Sequence, residues 1–122
     1  MFNQNQSFGR RAEEAACRFL RENGYRVVAR NYRTRFAEID IVAKDKDTVC
    51  FVEVKARSSA AFGLPQESVL GRKQAKICQA AVVFLKERGL LEARSRFDVV
   101  AVFADGEKLR CELIKEAFGL RE

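Results

Sequence analysis

Hydrophobic residues recur along this chain with two different periods, which together predict seven elements. Apolar side chains return every three to four residues in two segments, which predicts amphipathic helices over residues 9–23 and 67–88. Five further segments are rich in apolar and β-branched residues and are bounded by polar turns, as is typical of strands. The predicted strands cover residues 25–32, 36–43, 48–56, 97–104 and 107–114. The predicted order is therefore α-β-β-β-α-β-β.

This order predicts a three-layer α/β/α fold with a mixed central sheet. The strand at 48–56, the helix at 67–88 and the strand at 97–104 form a β-α-β unit, which should be a right-handed parallel crossover. Both strands are apolar almost throughout, as expected where helices cover both faces of a sheet. We therefore expect one domain over residues 1–122, with a core over about 9–114 and short flexible ends.

Two charges interrupt the apolar strand at 48–56, and both fall on one face because alternate residues of a strand point the same way. They are Glu53 and Lys55. If a four-residue turn, 44–47, closes the hairpin with the preceding strand, Glu38 lies opposite Glu53 and Asp40 is its diagonal neighbour. We therefore expect three carboxylates and one amine on a shared face, within roughly 8 Å of one another.

An excess of three acids over one lysine favours a divalent cation, because like charges repel in a low-dielectric cleft. Mg²⁺ and Mn²⁺ bind carboxylates, waters and phosphates, and they need neither histidine, which the chain lacks, nor cysteine. A salt-bridge network between these acids, Lys55 and nearby arginines would account for the same residues. The spacing leaves both interpretations open.

The predicted helices contribute two further candidates at their boundary with the sheet. Glu13 lies about 90° from the apolar stripe of the first helix, at 100° per residue, whereas Glu14 faces solvent. Lys73 lies one turn before Ile77, on the inward stripe of the second helix. Its ammonium group either extends to the rim or contacts a substrate phosphate.

Positive charge is concentrated near the N-terminus. The net charge is +6, and residues 10–35 hold eight arginines against three glutamates, or +5. Arginine forks match phosphate oxygens, so this segment is either a phosphate-binding surface or the solvated face of a basic protein.

The cysteines and the hydropathy pattern indicate a cytoplasmic protein. Four isolated cysteines without histidine argue against zinc and for reduced, buried thiols, and nothing in the sequence indicates an organic cofactor. No apolar run approaches the roughly 20 residues that span a bilayer, and the N-terminus does not resemble a secretory signal, so we expect no membrane association.

The acidic and basic residues of the two adjacent strands resemble a known nuclease signature. Asp40, twelve intervening residues and then Glu-x-Lys are similar to the PD-(D/E)XK pattern, although Ile39 stands where that pattern has proline. Seven ordered motifs spanning residues 9–104 resemble the YraN family, which is similar in fold to archaeal Holliday-junction resolvases. They are GRRAEEAACRFL, GYRVVARNYR, AEIDIVAKD, FVEVKAR, GLPQESV, GRKQAKI and RFDVVAV.

This resemblance implies a restriction-endonuclease-like core and a site on its sheet. It implies that Asp40 and Glu53 bind a metal ion, Mg²⁺ or Mn²⁺, that Lys55 stabilises charge or orients water, and that Glu13 helps to hold the ion or its water. Glu38 is a less secure addition, because Ala37 replaces the usual glycine before it. The backbone carbonyl of Val54 would complete the metal ligands.

The leading hypothesis is a metal-dependent endonuclease acting on structured or branched DNA. Candidate phosphate contacts are Arg10, Arg11, Arg33, Arg35, Arg57 and Lys73. The loop at 57–65 is expected to fold over the strand, and resolvase-like relatives suggest a homodimer. A nucleic-acid-binding or adaptor module that does not cut, or a structural protein with salt-bridged acids, would fit the same residues.

Overall fold

Five strands in one mixed sheet and two helices make up the described part of the chain. The structure, a computed structural model, describes residues 4–57 and 71–118. The elements are α1 (Gln4–Glu22), β1 (Arg26–Arg33), β2 (Glu38–Asp45), β3 (Thr48–Arg57), α2 (Gly71–Glu87), β4 (Ser95–Asp105) and β5 (Lys108–Phe118). This order confirms the predicted α-β-β-β-α-β-β arrangement.

The terminal elements are longer than predicted. α1 already begins at Gln4, and β5 continues to Phe118, so both elements extend beyond the predicted bounds of 9 and 114. The polar residues at the start of α1 carry no apolar periodicity, which is why the sequence pattern missed this turn. The outermost ends, the predicted loop beyond Arg57 and the predicted helical residues 67–70 lie outside the described residues.

The sheet order follows the chain order, β1-β2-β3-β4-β5. β3 and β4 are parallel, as predicted for strands joined through a helix, and the other neighbouring pairs are antiparallel. Each face of the sheet has its own apolar core. One core includes Leu20 of α1, and the other includes Phe84 of α2, so the two helices pack on opposite faces.

The hairpin between β2 and β3 has a tighter turn than predicted. Only Lys46 and Asp47 form the turn, and Asp45 pairs with Thr48. The register is therefore shifted by two residues from the predicted one. Continued beyond the last pair, Ile41 with Val52, it places Asp40 rather than Glu38 opposite Glu53. A shift of two preserves the face of each residue, so Asp40 and Glu53 still share one.

The regular alternation of β2 fails at Asp40. Ile39 packs in the core beneath α2, whereas Ile41 packs in the core beneath α1, although a regular strand would place both on one face. The neighbouring strand has Asn31 at this level with a left-handed φ of 51°. Asparagine tolerates this conformation better than most residues.

Candidate functional site

Asp40 lies just beyond the last β2–β3 backbone pair, where its carboxylate turns onto β3. The Val54 N–H donates a hydrogen bond to Asp40 Oδ2 at 2.8 Å. Burial and the negative charges of Glu53 and Glu13 raise the pKa of Asp40 from 3.8 to about 7, although the bond from Val54 and the charge of Lys73 oppose this rise. A cation placed beside Asp40 would therefore stabilise its ionised form.

Glu53 lies between two lysines that approach the same carboxylate oxygen. Lys73 Nζ is 2.7 Å and Lys55 Nζ is 3.2 Å from Glu53 Oε1. Burial lowers the pKa of Lys55, partly offset by the charge of Glu53. Burial also acts to lower the pKa of Lys73, but its bond and its attraction to Glu53 outweigh this effect and raise it. The ammonium group of Lys55 is thus affected mainly by burial, whereas that of Lys73 is stabilised mainly by its ion pair with Glu53.

Lys73 contacts Glu53 directly, which the sequence analysis did not foresee. Its position on the inward stripe of the second helix was the available signal, but the pattern could not show which strand residue lay beneath it. α2 packs on the face that carries Phe51, and Glu53 follows Phe51 on that face by alternation. The ammonium of Lys73 therefore reaches Glu53 on the sheet, while the side chain stays 45% exposed.

Glu13 and Glu38 form a second acidic group beside the first. With its amide nitrogen directed at the two acids, Asn31 Nδ2 donates to Glu13 Oε1 at 2.9 Å and to Glu38 Oε1 at 3.2 Å. Burial raises the pKa of Glu13; Arg30 opposes this rise, while Glu38 adds to it. Because Glu13 also acts on the pKa of Asp40, α1 places a negative charge near this carboxylate.

The three carboxylates predicted on one face are not arranged as a metal-binding group. No group of three or more His, Cys, Asp or Glu side chains within residues 4–57 and 71–118 is arranged to hold a metal ion. Arg33, at 3.6 Å, and Asn31 engage Glu38 instead. Asp40 and Glu53 remain as a pair. Mg²⁺ commonly uses one or two carboxylates together with waters and substrate phosphates, so this pair suits such an ion.

The predicted phosphate contacts do not form a single surface. Arg35 stacks over Phe36 at 4.8 Å, and Arg57 donates to the carbonyl of Ala56 at 3.4 Å. Both lie on the elements that carry the carboxylates or next to them. Arg10 and Arg11 instead line a groove of about 640 Å³ between α1 and β5.

A buried ion pair on β4 was not predicted from the sequence. Asp98 is fully buried, and Arg96 Nε donates to its two oxygens at 3.1 and 3.0 Å. Arg96 also donates to Asp45 of β2 and to the hydroxyl of Tyr25, at 3.1 and 2.6 Å. Two opposite charges at i and i+2 within an apolar strand were the signal that could have revealed it.

Within the described residues the cysteines form no disulfide. Cys17, Cys50 and Cys78 are buried, as predicted, whereas Cys111 on β5 is only partly buried. No described helix has the length and apolar character needed to cross a bilayer.

These features define a class of small mixed α/β proteins, with carboxylates and one lysine on two adjacent strands and a second lysine contributed by a helix. The sequence model of the uncharacterised protein family UPF0102 matches residues 12–102. A UPF0102 protein of Desulforapulum autotrophicum is 55% identical over 118 residues, which cover 97% of this chain and 98% of that protein. The UPF0102 protein of Desulfosudis oleivorans is 52% identical, over 97% of this chain and 94% of that protein. The UPF0102 protein of Syntrophus aciditrophicus is 48% identical, over 96% of this chain and 92% of that protein. The chain belongs to the UPF0102 family, which confirms the predicted YraN membership.

Proposed function

We propose that this protein is a metal-dependent endonuclease acting on structured or branched DNA, with a restriction-endonuclease-like core. The observation that carries the proposal is the meeting of Asp40, Glu53 and Lys55 at one place. Asp40 is bonded to the backbone of Val54, beside Glu53, and Lys55 is 3.2 Å from Glu53. The chain order and the mixed sheet are compatible with such a core.

In this proposal Asp40, Glu53 and the carbonyl of Val54 hold Mg²⁺ or Mn²⁺, with Glu13 close by. When bound, the ion supplies Lewis-acid polarisation of a phosphate oxygen and lowers the pKa of a water molecule. Lys55 supplies a fixed positive charge, because its side chain is only 14% exposed and lies against Glu53. A preorganised cation in a water-poor position stabilises charge that develops at a phosphoryl centre.

The charged groups around this pair favour binding of a phosphodiester backbone. Arg33, Arg35 and Arg57 lie on or beside the strands of the site, and arginine forks position phosphates without reading sequence. Glu38, held by Arg33 and Asn31, contributes to the local charge but is not needed as a ligand.

A second candidate function is a nucleic-acid-binding or adaptor module that does not cut. One observation favours it: two ammonium groups already neutralise Glu53. Such a site would be complete as a salt-bridge network. Under this alternative, DNA binding depends on the arginines and weakens steeply with salt, and divalent ions act on it only as competing counterions.

Cleavage assays with matched variants test the first proposal. The purified protein is incubated with plasmid, single-stranded and four-way-junction DNA in the presence of Mg²⁺ or Mn²⁺. Asp40→Asn and Lys55→Met should abolish cleavage, whereas Asp47→Asn, in the exposed hairpin turn, should leave it unchanged. Cleavage that persists in both site variants would indicate a contaminating nuclease and refute the proposal. Binding without cleavage would favour the adaptor.

A binding measurement tests the ion site independently of turnover. Titration calorimetry with Mn²⁺ should give one site in the native protein and none in Glu53→Gln. Paramagnetic broadening by Mn²⁺ should centre on the amides next to Asp40 and Glu53. Broadening elsewhere, or equal binding by Glu53→Gln, would refute this assignment of the ligands.

A further inference from the structure

The contact between Lys73 and Glu53 suggests how the site responds to an ion, an inference that rests on the proposed function. We propose that Lys73 is an exchangeable cation, which holds Glu53 before the ion binds and is displaced from it when the ion binds. The released ammonium group then becomes a ligand for a substrate phosphate. Lys73 thus couples the two binding events.

The two lysines approach one carboxylate oxygen of Glu53 from different elements. Lys73 Nζ and Lys55 Nζ both approach Glu53 Oε1, at 2.7 and 3.2 Å. Lys55 belongs to the same strand as Glu53, so its backbone has a fixed relation to the carboxylate. Lys73 reaches Glu53 from α2, on a flexible four-carbon stem. An ion that coordinates Glu53 meets the ammonium of Lys73 at this oxygen.

Charge balance explains why the exchange is favourable. Before an ion binds, and when Asp40 is ionised, the negative charges of Asp40 and Glu53 are matched by the two ammonium groups. A divalent ion adds two positive charges to the same small volume, and the repulsion is strong where water is scarce. Phosphodiester groups, each carrying one negative charge, relieve it. The ion therefore both expels one ammonium group and prepares the site for a nucleic-acid backbone.

Exposure decides which lysine moves. The side chain of Lys55 is 14% exposed, whereas that of Lys73 is 45% exposed. Lys73 already contacts water and can rotate away from Glu53 into solvent. Lys55 is nearly enclosed and has no comparable path into solvent. We therefore expect Lys55 to stay beside Glu53 and Lys73 to leave it.

Trace acetylation of lysines, read by mass spectrometry, tests this exchange without relying on activity. The rate of modification at Lys73 should rise about five-fold on addition of Mg²⁺, the factor expected when one exposed ion pair is lost. Lys76, exposed and three residues further along α2, is the internal control and should keep its rate. In Glu53→Gln, Mg²⁺ should change neither rate.

Three outcomes separate the exchange from the ion site itself. A selective rise at Lys73 supports the exchange. Mn²⁺ binding at Asp40 and Glu53 with an unchanged rate at Lys73 would overturn the exchange and leave the ion site standing. No ion binding at all would overturn both proposals.

A substitution pair tests the second half of the inference. Lys73→Met keeps the apolar stem and removes the competing cation, so it should tighten Mn²⁺ binding while weakening DNA affinity measured with Ca²⁺ present. Lys76→Met makes the same change in net charge and should do neither to the same extent. Equal effects of the two variants would show that Lys73 contributes only to the overall positive charge, which would overturn its exchange role.

Discussion

Asp40 links stability to pH, because burial and the adjacent charge of Glu53 favour its protonated form. Its pKa is about 7 in the folded protein, against an ordinary value of 3.8. Between these values the folded chain keeps a proton that the unfolded chain has released. The contribution of Asp40 to the free energy of unfolding therefore falls as the pH rises from about 4 to about 7.

Asp40→Asn should remove this dependence, because an amide cannot ionise yet can still accept the Val54 hydrogen bond. The substitution should increase the free energy of unfolding, and this increase should be about 2 kcal/mol larger at pH 8 than at pH 5. Urea denaturation at both pH values, without divalent ions, measures the difference. The control, Asp47→Asn in the exposed turn, should change the free energy of unfolding by the same small amount at both pH values. An increase for Asp40→Asn that does not depend on pH would contradict the link between Asp40 and stability.

At the scale of elements, the hairpin turns set which acids meet. The β4–β5 turn begins with Gly106 at a φ of 64°, and the β2–β3 turn has Lys46 at the equivalent place with a φ of 57°. Both are two-residue turns that require a left-handed first residue, which glycine adopts without strain. Lys46 bears this strain at the turn that sets the register of Asp40 and Glu53.

Lys46→Gly should therefore stabilise the protein by about 1 kcal/mol, the order of the left-handed penalty for a residue with a side chain. Thermal and urea unfolding would measure it. Asp47 does not have a left-handed φ, so Asp47→Gly should bring a loss and serves as the control. A loss on Lys46→Gly comparable to that control would show that the turn is not strained in this way.

The Arg96–Asp98 pair joins elements across the sheet. Asp98 lies on β4 and also accepts the N–H of Glu116 from β5 at 3.0 Å, while Arg96 reaches Asp45 at the end of β2. Every partner of this buried carboxylate is therefore needed, since a buried charge without its partner is strongly unfavourable.

Arg96→Met should lower the free energy of unfolding by about 3 kcal/mol, because it leaves Asp98 buried and charged without its cation. Adding Asp98→Asn should recover part of this loss, since the buried charge is then removed as well. Arg94→Met, two residues earlier and exposed, should change stability by less than about 0.5 kcal/mol. A similarly small effect of Arg96→Met in denaturant titrations would contradict the structural role of the pair.

At the scale of the whole molecule, the two helix layers reach the same end of the β2–β3 pairing. Lys73 comes from α2 on one face and Glu13 from α1 on the other, and both act on the pKa of Asp40. The backbone pairing of β2 with β3 stops at Ile41 and Val52. Side chains from both layers approach one carboxylate where this pairing ends.

The proposed substrate surface surrounds this end of the sheet, so DNA binding should depend on where the arginines lie as well as on the net charge. Replacing Arg33 and Arg35 together by alanine should weaken DNA binding and reduce the slope of log affinity against log salt by about 2. Replacing Arg18 and Arg21 on α1, the same change in net charge, should affect both less. Fluorescence anisotropy at several salt concentrations measures the slopes, and equal losses would show that only total charge matters.

Sequence pattern alone predicted the order of elements, the parallel β3–β4 pair and the shared face of Asp40 and Glu53. These follow from local periodicity and from the rule that parallel strands need a crossover. It missed the two-residue turn, because four polar residues in a row do not show how many of them form the loop. It also missed the meeting of Lys73 with Glu53 and the separation of Glu38, which depend on contacts between distant segments.

The sequence by itself thus determined which residues could do chemistry and which strands carry them. Tertiary structure decided which of them meet, since Asn31 and Arg33 engage Glu38 and the packing of α2 brings Lys73 to Glu53. The physical reason is range. Periodicity reports how one segment divides between core and solvent, whereas the charge balance around a carboxylate depends on every segment that packs against it.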